Sequence, residues 1–118
     1  MLTTEEKTLA VVAALEDVKA NKITVIDTSK LSSMFERMVI ASAQSTRQTK
    51  ALADNVVVKL KEHGEKIYGR EGEDSGEWIL VDLGEVLVHV MQPAVRDYYN
   101  LEELWSKAQA CARTIITP

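Results

Sequence analysis

Residues 77 to 91, EWILVDLGEVLVHVM, hold two apolar runs that meet at Leu83-Gly84. Short runs rich in Val, Ile and Leu around a glycine predict two strands joined as a hairpin. Strand geometry then fixes which side chains share a face, because successive residues point to opposite sides. Ile79, Val81 and Leu83 fall on one side of the first strand; Trp78, Leu80 and Asp82 fall on the other. In the second strand Val86, Val88 and Val90 share a side, and Leu87, His89 and Met91 share the opposite one. The all-aliphatic sides are the natural core sides. The mixed sides carry rare residues, and the sequence leaves two readings for them. Either helices cover them and Trp78 is core, or they lie open as an amphipathic patch. Open patches of Trp, Tyr and Met are the composition of protein interfaces.

The rest of the chain predicts what packs on these strands. TTEEKTLAVVAALEDVKANK reads as a helix, with Thr3 or Thr4 as cap, Glu5 and Glu6 at the positive end of its dipole, and a stripe of Val11, Val12, Leu15 and Val18. KITVIDT and RMVIASA read as strands, with LSSMF as the link between them. In SAQSTRQTKALADNVVVKLKEHG, Ser45 and Gln48 have capping-box spacing, Leu52, Val56 and Leu60 repeat on one face, and Gly64 stands where a helix ends. EKIYGRE reads as a third strand, and GEDSG as a loop. Pro93 ends the last strand because it cannot donate to a ladder, and the tail reads as a helical turn followed by a helix. The order αββαβββα predicts one α/β domain over residues 1–118, a single mixed β-sheet with helices packed on it.

Charge and cysteine content narrow the function. A net charge of −4 and a pI near 5.2 argue against a nucleic-acid partner held by electrostatics, including direct DNA binding. The longest unbroken apolar run, Leu9 to Leu15, is too short to cross a bilayer, so no membrane partner is expected. One cysteine, Cys111, permits no intrachain disulfide, and the acidic start lacks the positive region of a signal peptide. A cytoplasmic protein is expected.

Motifs for catalysis are not found. ASAQSTRQ has no glycine-rich phosphate loop, and no GxSxG is present. His63 and His89 lack a third ligand at metal spacing; His63 reads as a helix-end histidine, and Cys111 as a small buried hydrophobe. Asp27 and Asp82 each follow an apolar strand, where carboxylates can hold magnesium or cap turns, and capping is the simpler role. The four acids of EGEDSGE read as a solvated loop. No catalytic residue, metal or cofactor is assigned.

The segment EGEDSGEWILVDLGEVLVHVMQPAVRDYYNLEELWS resembles the signature of the ribosomal silencing factor family, also called the Iojap family. The matching positions are Glu71, Gly72, Trp78, Asp82, Gly84, Val88, His89, Val90, Arg96, Tyr99, Leu101, Glu102, Leu104 and Trp105. Upstream, KITVIDT and MVIASAQSTRQTKALAD match as well, so the resemblance spans roughly residues 6 to 106. It departs at Ala43, where the family usually has Gly, and at Glu36-Arg37, where the family has Asp-Tyr. The resemblance implies a nucleotidyltransferase-like fold without the catalytic motif. It implies binding to the large ribosomal subunit through ribosomal protein number fourteen, steric block of small-subunit joining, and lower translation when nutrients are short. It also implies a homodimer when free. On this reading Trp78, Leu80, Asp82, His89, Met91, Arg96, Tyr98, Tyr99 and Glu102 are the partner-binding residues. Two alternatives are a divergent nucleotidyltransferase-like enzyme working through Asp27 or Asp82, and a self-associating scaffold whose aromatic patch pairs with itself.

Overall fold

A computed structural model describes residues 2–31 and 33–104. The elements are α1 (Thr4–Asp17), β1 (Asn21–Asp27), β2 (Arg37–Ser42), α2 (Thr46–Glu62), β3 (Gly69–Glu71), β4 (Trp78–Asp82), β5 (Val86–Met91) and α3 (Pro93–Tyr99). The five strands form one sheet in the order β1-β2-β5-β4-β3. β2 and β5 run parallel, and every other pairing is antiparallel. The predicted mixed sheet and element order are thus observed.

Local chemistry explains the boundaries. Thr3 caps α1 with a complete capping box: its hydroxyl accepts from Glu6 N at 3.1 Å, and Glu6 Oε1 accepts from Thr3 N at 2.9 Å. At α2 the box is displaced by one residue. Ser45 Oγ accepts from Gln48 N at 3.1 Å, while Gln48 Oε1 accepts from Gln44 N at 2.9 Å. Gln48 Nε2 also donates to Val18 O and Lys19 O at 3.3 and 3.2 Å, so one side chain opens α2 and closes the end of α1. The predicted hairpin closes with Leu83 N donating to Val86 O at 2.9 Å and Asp82 Oδ1 accepting from Gly84 N at 2.9 Å.

α1 and α2 both lie on one side of the sheet. Val11, Ala14 and Leu15 of α1 and Leu52, Ala53, Val56 and Leu60 of α2 close over Val39, Ala41, Ile79, Val81, Val86, Val88 and Val90. The aliphatic strand faces are the main core, as alternation predicts. Each Leu or Val buried there contributes about 1.5–3 kcal/mol. The α1 stripe is offset from the expected one. Val12 and Val18 sit half-buried at its margin, while Lys7 and Thr8 are buried.

β3 is shorter than the predicted EKIYGRE strand. Glu65 turns inward instead, 8% exposed, with Oε1 accepting from Leu2 N at 3.1 Å. Pairing begins only where Tyr68 N donates to Asp82 O at 2.8 Å. The same carboxylate lies 3.7 Å from Lys7 Nζ. Lys7 also donates to Leu83 O at 3.2 Å and pairs with Glu85, whose carboxyl it holds below the usual carboxylate range. Lys7, 5% exposed, therefore bolts α1 to the β4–β5 hairpin. Removing one member of a buried charge cluster strands the others. Lys7→Ala should lose about 2–4 kcal/mol, read as a lower urea midpoint with an unchanged denaturant slope.

Candidate functional site

The second side of the sheet is built differently from the first. Over β1 and β2 it is closed by a small cluster of Ile26, Met38 and Ile40, with Phe35 and Leu101 packed against it. Over β5 and β4 the register sets Trp78 opposite Met91, Leu80 opposite His89, and Asp82 opposite Leu87. The mixed faces of the hairpin therefore lie side by side. Trp78, Leu80, Asp82 and Leu87 are half-buried there, and among the described residues neither long helix, α1 or α2, packs over them. Trp78 Nε1 donates to His89 Nδ1 at 2.9 Å. On its other side Trp78 meets Tyr99 with ring centroids 4.8 Å apart, and Tyr99 meets Tyr98 edge-on at 5.0 Å. Tyr98 is 82% exposed and Tyr99 52%. A run of aromatic rings thus leads from the sheet to the surface.

The loop before β4 is pressed against this face. Gly72 has φ +92°, and a Cβ there would stand 2.0 Å from Trp78 O. Only glycine lets the backbone approach so closely. Glu71, Gly72, Trp78, Leu80 and His89 enclose a shallow hollow of about 260 Å³.

α3 is held by a polar joint. Arg96 is its buried residue, 7% exposed. Its guanidinium grips Glu102 at 2.7 and 2.9 Å, donates to Ser42 Oγ at 2.8 Å, and to Thr24 Oγ1 at 3.0 Å. Thr24 Oγ1 donates in turn to Glu102 Oε2 at 3.2 Å. The Arg96 hydrogen bonds hold the Glu102 carboxyl below its ordinary range, against an opposing effect of burial. This joint fixes α3 to β1 and β2 and so sets where Tyr98 and Tyr99 stand.

The nine predicted contact residues therefore divide. Trp78, Leu80, Tyr98 and Tyr99 form a connected face, with Asp82 near it and engaged in the hairpin turn. His89 is 7% exposed and supports Trp78 from below. Met91, expected on the open patch, is 1% exposed, flanked by Trp78 on β4 and Ser42 on β2 just before α3. Arg96 and Glu102, expected to orient a partner, are turned on each other. Thr24, Ser42, Lys7 and the close approach of Gly72 were not anticipated. Thr24 and Ser42 did carry a signal: each is a hydroxyl beside an aliphatic run, Thr24 within Ile23–Ile26 and Ser42 at the end of Met38–Ala41. Cys111, read as a small buried hydrophobe, Trp105, one of the matching positions, and most of the helix expected after the helical turn lie outside the described residues.

The other singled-out acids have structural partners. Asp27 accepts from Ser29 N at 2.9 Å and Ser29 Oγ at 2.6 Å and pairs with Arg37 at 3.2 Å; the Ser29 hydrogen bonds lower its pKa. The Glu36-Arg37 departure is thus used locally, Arg37 on Asp27 and Glu36 accepting from Thr4 Oγ1 at 2.8 Å. Ala43 is fully buried, and its N donates to Met91 O at 3.0 Å. Among the described residues no group of three or more His, Cys, Asp or Glu is placed to hold a metal ion. No helix there is long and apolar enough to cross a membrane.

Fold and face together define a single-sheet α/β domain, closed by two helices on one side and bearing an aromatic surface on the other. The family described as "Ribosomal silencing factor during starvation" matches residues 2–117, and the chain belongs to it. A ribosomal silencing factor of Chromobacterium violaceum is 61% identical over 94 residues, 80% of this chain and 77% of that one. A crystal structure of a protein from the same organism superposes with a TM-score of 0.88 at 55% identity, covering 89% of this chain and 88% of that one. A mouse protein named "Mitochondrial assembly of ribosomal large subunit protein 1" is 32% identical over 99 residues, 80% of this chain and 43% of its own length.

Arg96→Ala should destabilise the protein by about 2–4 kcal/mol, because Glu102 is left without its partner and α3 without its anchor. Calorimetry would show the lowered melting point, and Thr24→Val should lose less. The pH dependence follows from His89. Burial disfavours its charged form and takes its pKa from the ordinary 6.5 down to about 4. Between those values the unfolded chain binds more protons than the folded one, so stability falls as pH falls through that window. The urea midpoint of the wild type should drop from pH 6.5 to 4 more steeply than that of His89→Phe.

Proposed function

We propose that this family member silences ribosomes by docking its aromatic face on the large subunit, at ribosomal protein number fourteen, and occupying the space the small subunit needs. The carrying observation is the connected series from half-buried Trp78 on β4 to exposed Tyr99 and Tyr98 on α3, bordered by Leu80. Aromatic side chains with few rotatable bonds are the commonest energetic anchors of interfaces. The charge of −4 suits a basic ribosomal protein. The mouse relative's name, which speaks of the ribosomal large subunit, supports the choice of subunit. The action is cytoplasmic and steric, with translation lowered under nutrient limitation, and requires no catalysis, metal or cofactor. Free in solution the chain pairs with itself as a homodimer, as the family resemblance implies.

Sedimentation with isolated large subunits tests this reading. Wild type should travel with them and reduce joining when small subunits are added. Trp78→Ala and Tyr98→Ala, checked for folding by circular dichroism, should bind about tenfold or more weakly, as removal of an interface anchor does. Wild type that stays at the top of the gradient would overturn the proposal. Light scattering of the free protein should give twice the chain mass; a monomer at every concentration would remove the dimer.

A further inference from the structure

His89 stands within the sheet, with Ile40 of β2 on one side and Leu80 of β4 on the other. It is buried, and burial keeps its ring neutral. The indole N–H of Trp78 is a donor only. It donates to His89 Nδ1 at 2.9 Å, so that nitrogen offers its lone pair and the neutral ring carries its hydrogen on Nε2. Among the described residues His89 Nε2, also buried, finds no hydrogen-bond partner. An unpaired buried donor costs about 1–3 kcal/mol, which an aliphatic residue at this position would avoid. Ile40 and Met91, buried on the same face of the sheet, show that apolar side chains fit there. What histidine supplies and they cannot is an acceptor for the indole.

We infer that His89 is a positioning residue of the docking face: its Nδ1 lone pair fixes the orientation in which the Trp78 ring is presented to the protein partner. The inference rests on the docking reading above and adds how the anchor of that face is held. Two contacts bracket the indole. Tyr99 lies 4.8 Å away with the rings tilted by 50°, but it is half exposed and belongs to the short α3. His89 belongs to β5, which is paired along both edges, by β2 and by β4. The firm, directional contact is therefore the hydrogen bond. An indole free to turn loses that freedom on docking, at about 0.5–1.5 kcal/mol for an immobilised side chain, and an indole already held does not. The bond also withholds the only polar atom of the ring. Trp78 meets the partner as a carbon surface, so the partner's group there packs against the ring instead of accepting from it.

Binding to purified large subunits, measured around a double-mutant cycle of His89→Leu and Trp78→Phe, tests this role. His89→Leu should bind about fivefold more weakly than wild type, the worth of one hydrogen bond. His89→Asn, whose amide oxygen can take the place of Nδ1, should stay within about twofold of wild type. In the Trp78→Phe background no N–H remains to be held, and His89→Leu should change binding by less than about twofold. The indole N–H resonance of Trp78, assigned by its disappearance in Trp78→Phe, should move upfield in His89→Leu and far less in His89→Asn. A histidine that serves only the packing of the sheet would weaken binding equally in both backgrounds, and that result overturns the inference. Wild-type affinity in His89→Leu also overturns it, while a loss in Trp78→Phe alone would leave the docking reading intact. If the melting curve shows that His89→Leu does not fold, benzothienylalanine at position 78, which keeps the ring and lacks only its N–H, decides instead. The same loss of about fivefold is then expected, and unchanged binding overturns the inference. If wild type itself fails to bind, the docking reading falls first and takes this inference with it.

Discussion

The parallel pairing of β2 with β5 is the constraint from which the rest of the architecture follows. Arg37 stands beside Val86 and Ser42 beside Met91, so the two strands run together over their whole length. Parallel neighbours cannot be joined by a tight turn. The intervening chain must leave the sheet and return, and here it does so through α2, β3 and β4. That excursion places α2 beside α1 on one side. Both long helices are then committed to a single face. Among the described residues the opposite face carries only the seven-residue α3 and Leu101, which leave Trp78, Leu80, Asp82 and Leu87 half-buried. An open aromatic surface is thus a product of connectivity as much as of composition.

The two faces are held by different physics. The helix-covered face is closed by apolar area, with Val11, Leu15, Leu52, Val56, Leu60 and their sheet partners all fully buried. The other face is assembled by directional contacts: the Arg96 joint, the Trp78–His89 hydrogen bond, and tilted rings at about 5 Å. Directional contacts fix orientation more tightly than area does. The docking proposed for Trp78, Leu80 and the two tyrosines would be served by such fixing, since less order would remain to be gained on binding.

Most of the fold was legible because period-two alternation has one sensible solution here. Ile79, Val81, Leu83, Val86, Val88 and Val90 could only be core, and they are. The site was legible in its residues but not in its division of labour. Alternation assigns Met91 and Trp78 to one face without saying that Met91 sits at the edge where α3 begins and is covered. Nor does it reveal that Arg96 and Glu102, six positions apart, satisfy each other across a helix end at Asn100, whose φ is +45°. Third-strand length failed for a similar reason. Glu65 looks like ordinary strand periphery, and its inward turn is explained only by Leu2 N and the buried Lys7, both from the far end of the chain.

Resting α3 on one guanidinium also has a dynamic consequence. A helix of seven residues with no side-chain N-cap has little cohesion of its own. Its opening exposes little apolar area, so it can detach without the sheet coming apart. The tyrosine-bearing segment should therefore open separately, at a free energy below that of global unfolding. Its amides would lose hydrogen-exchange protection before those of β5. The proposed docking surface would then be the least protected layer of an otherwise firmly packed domain.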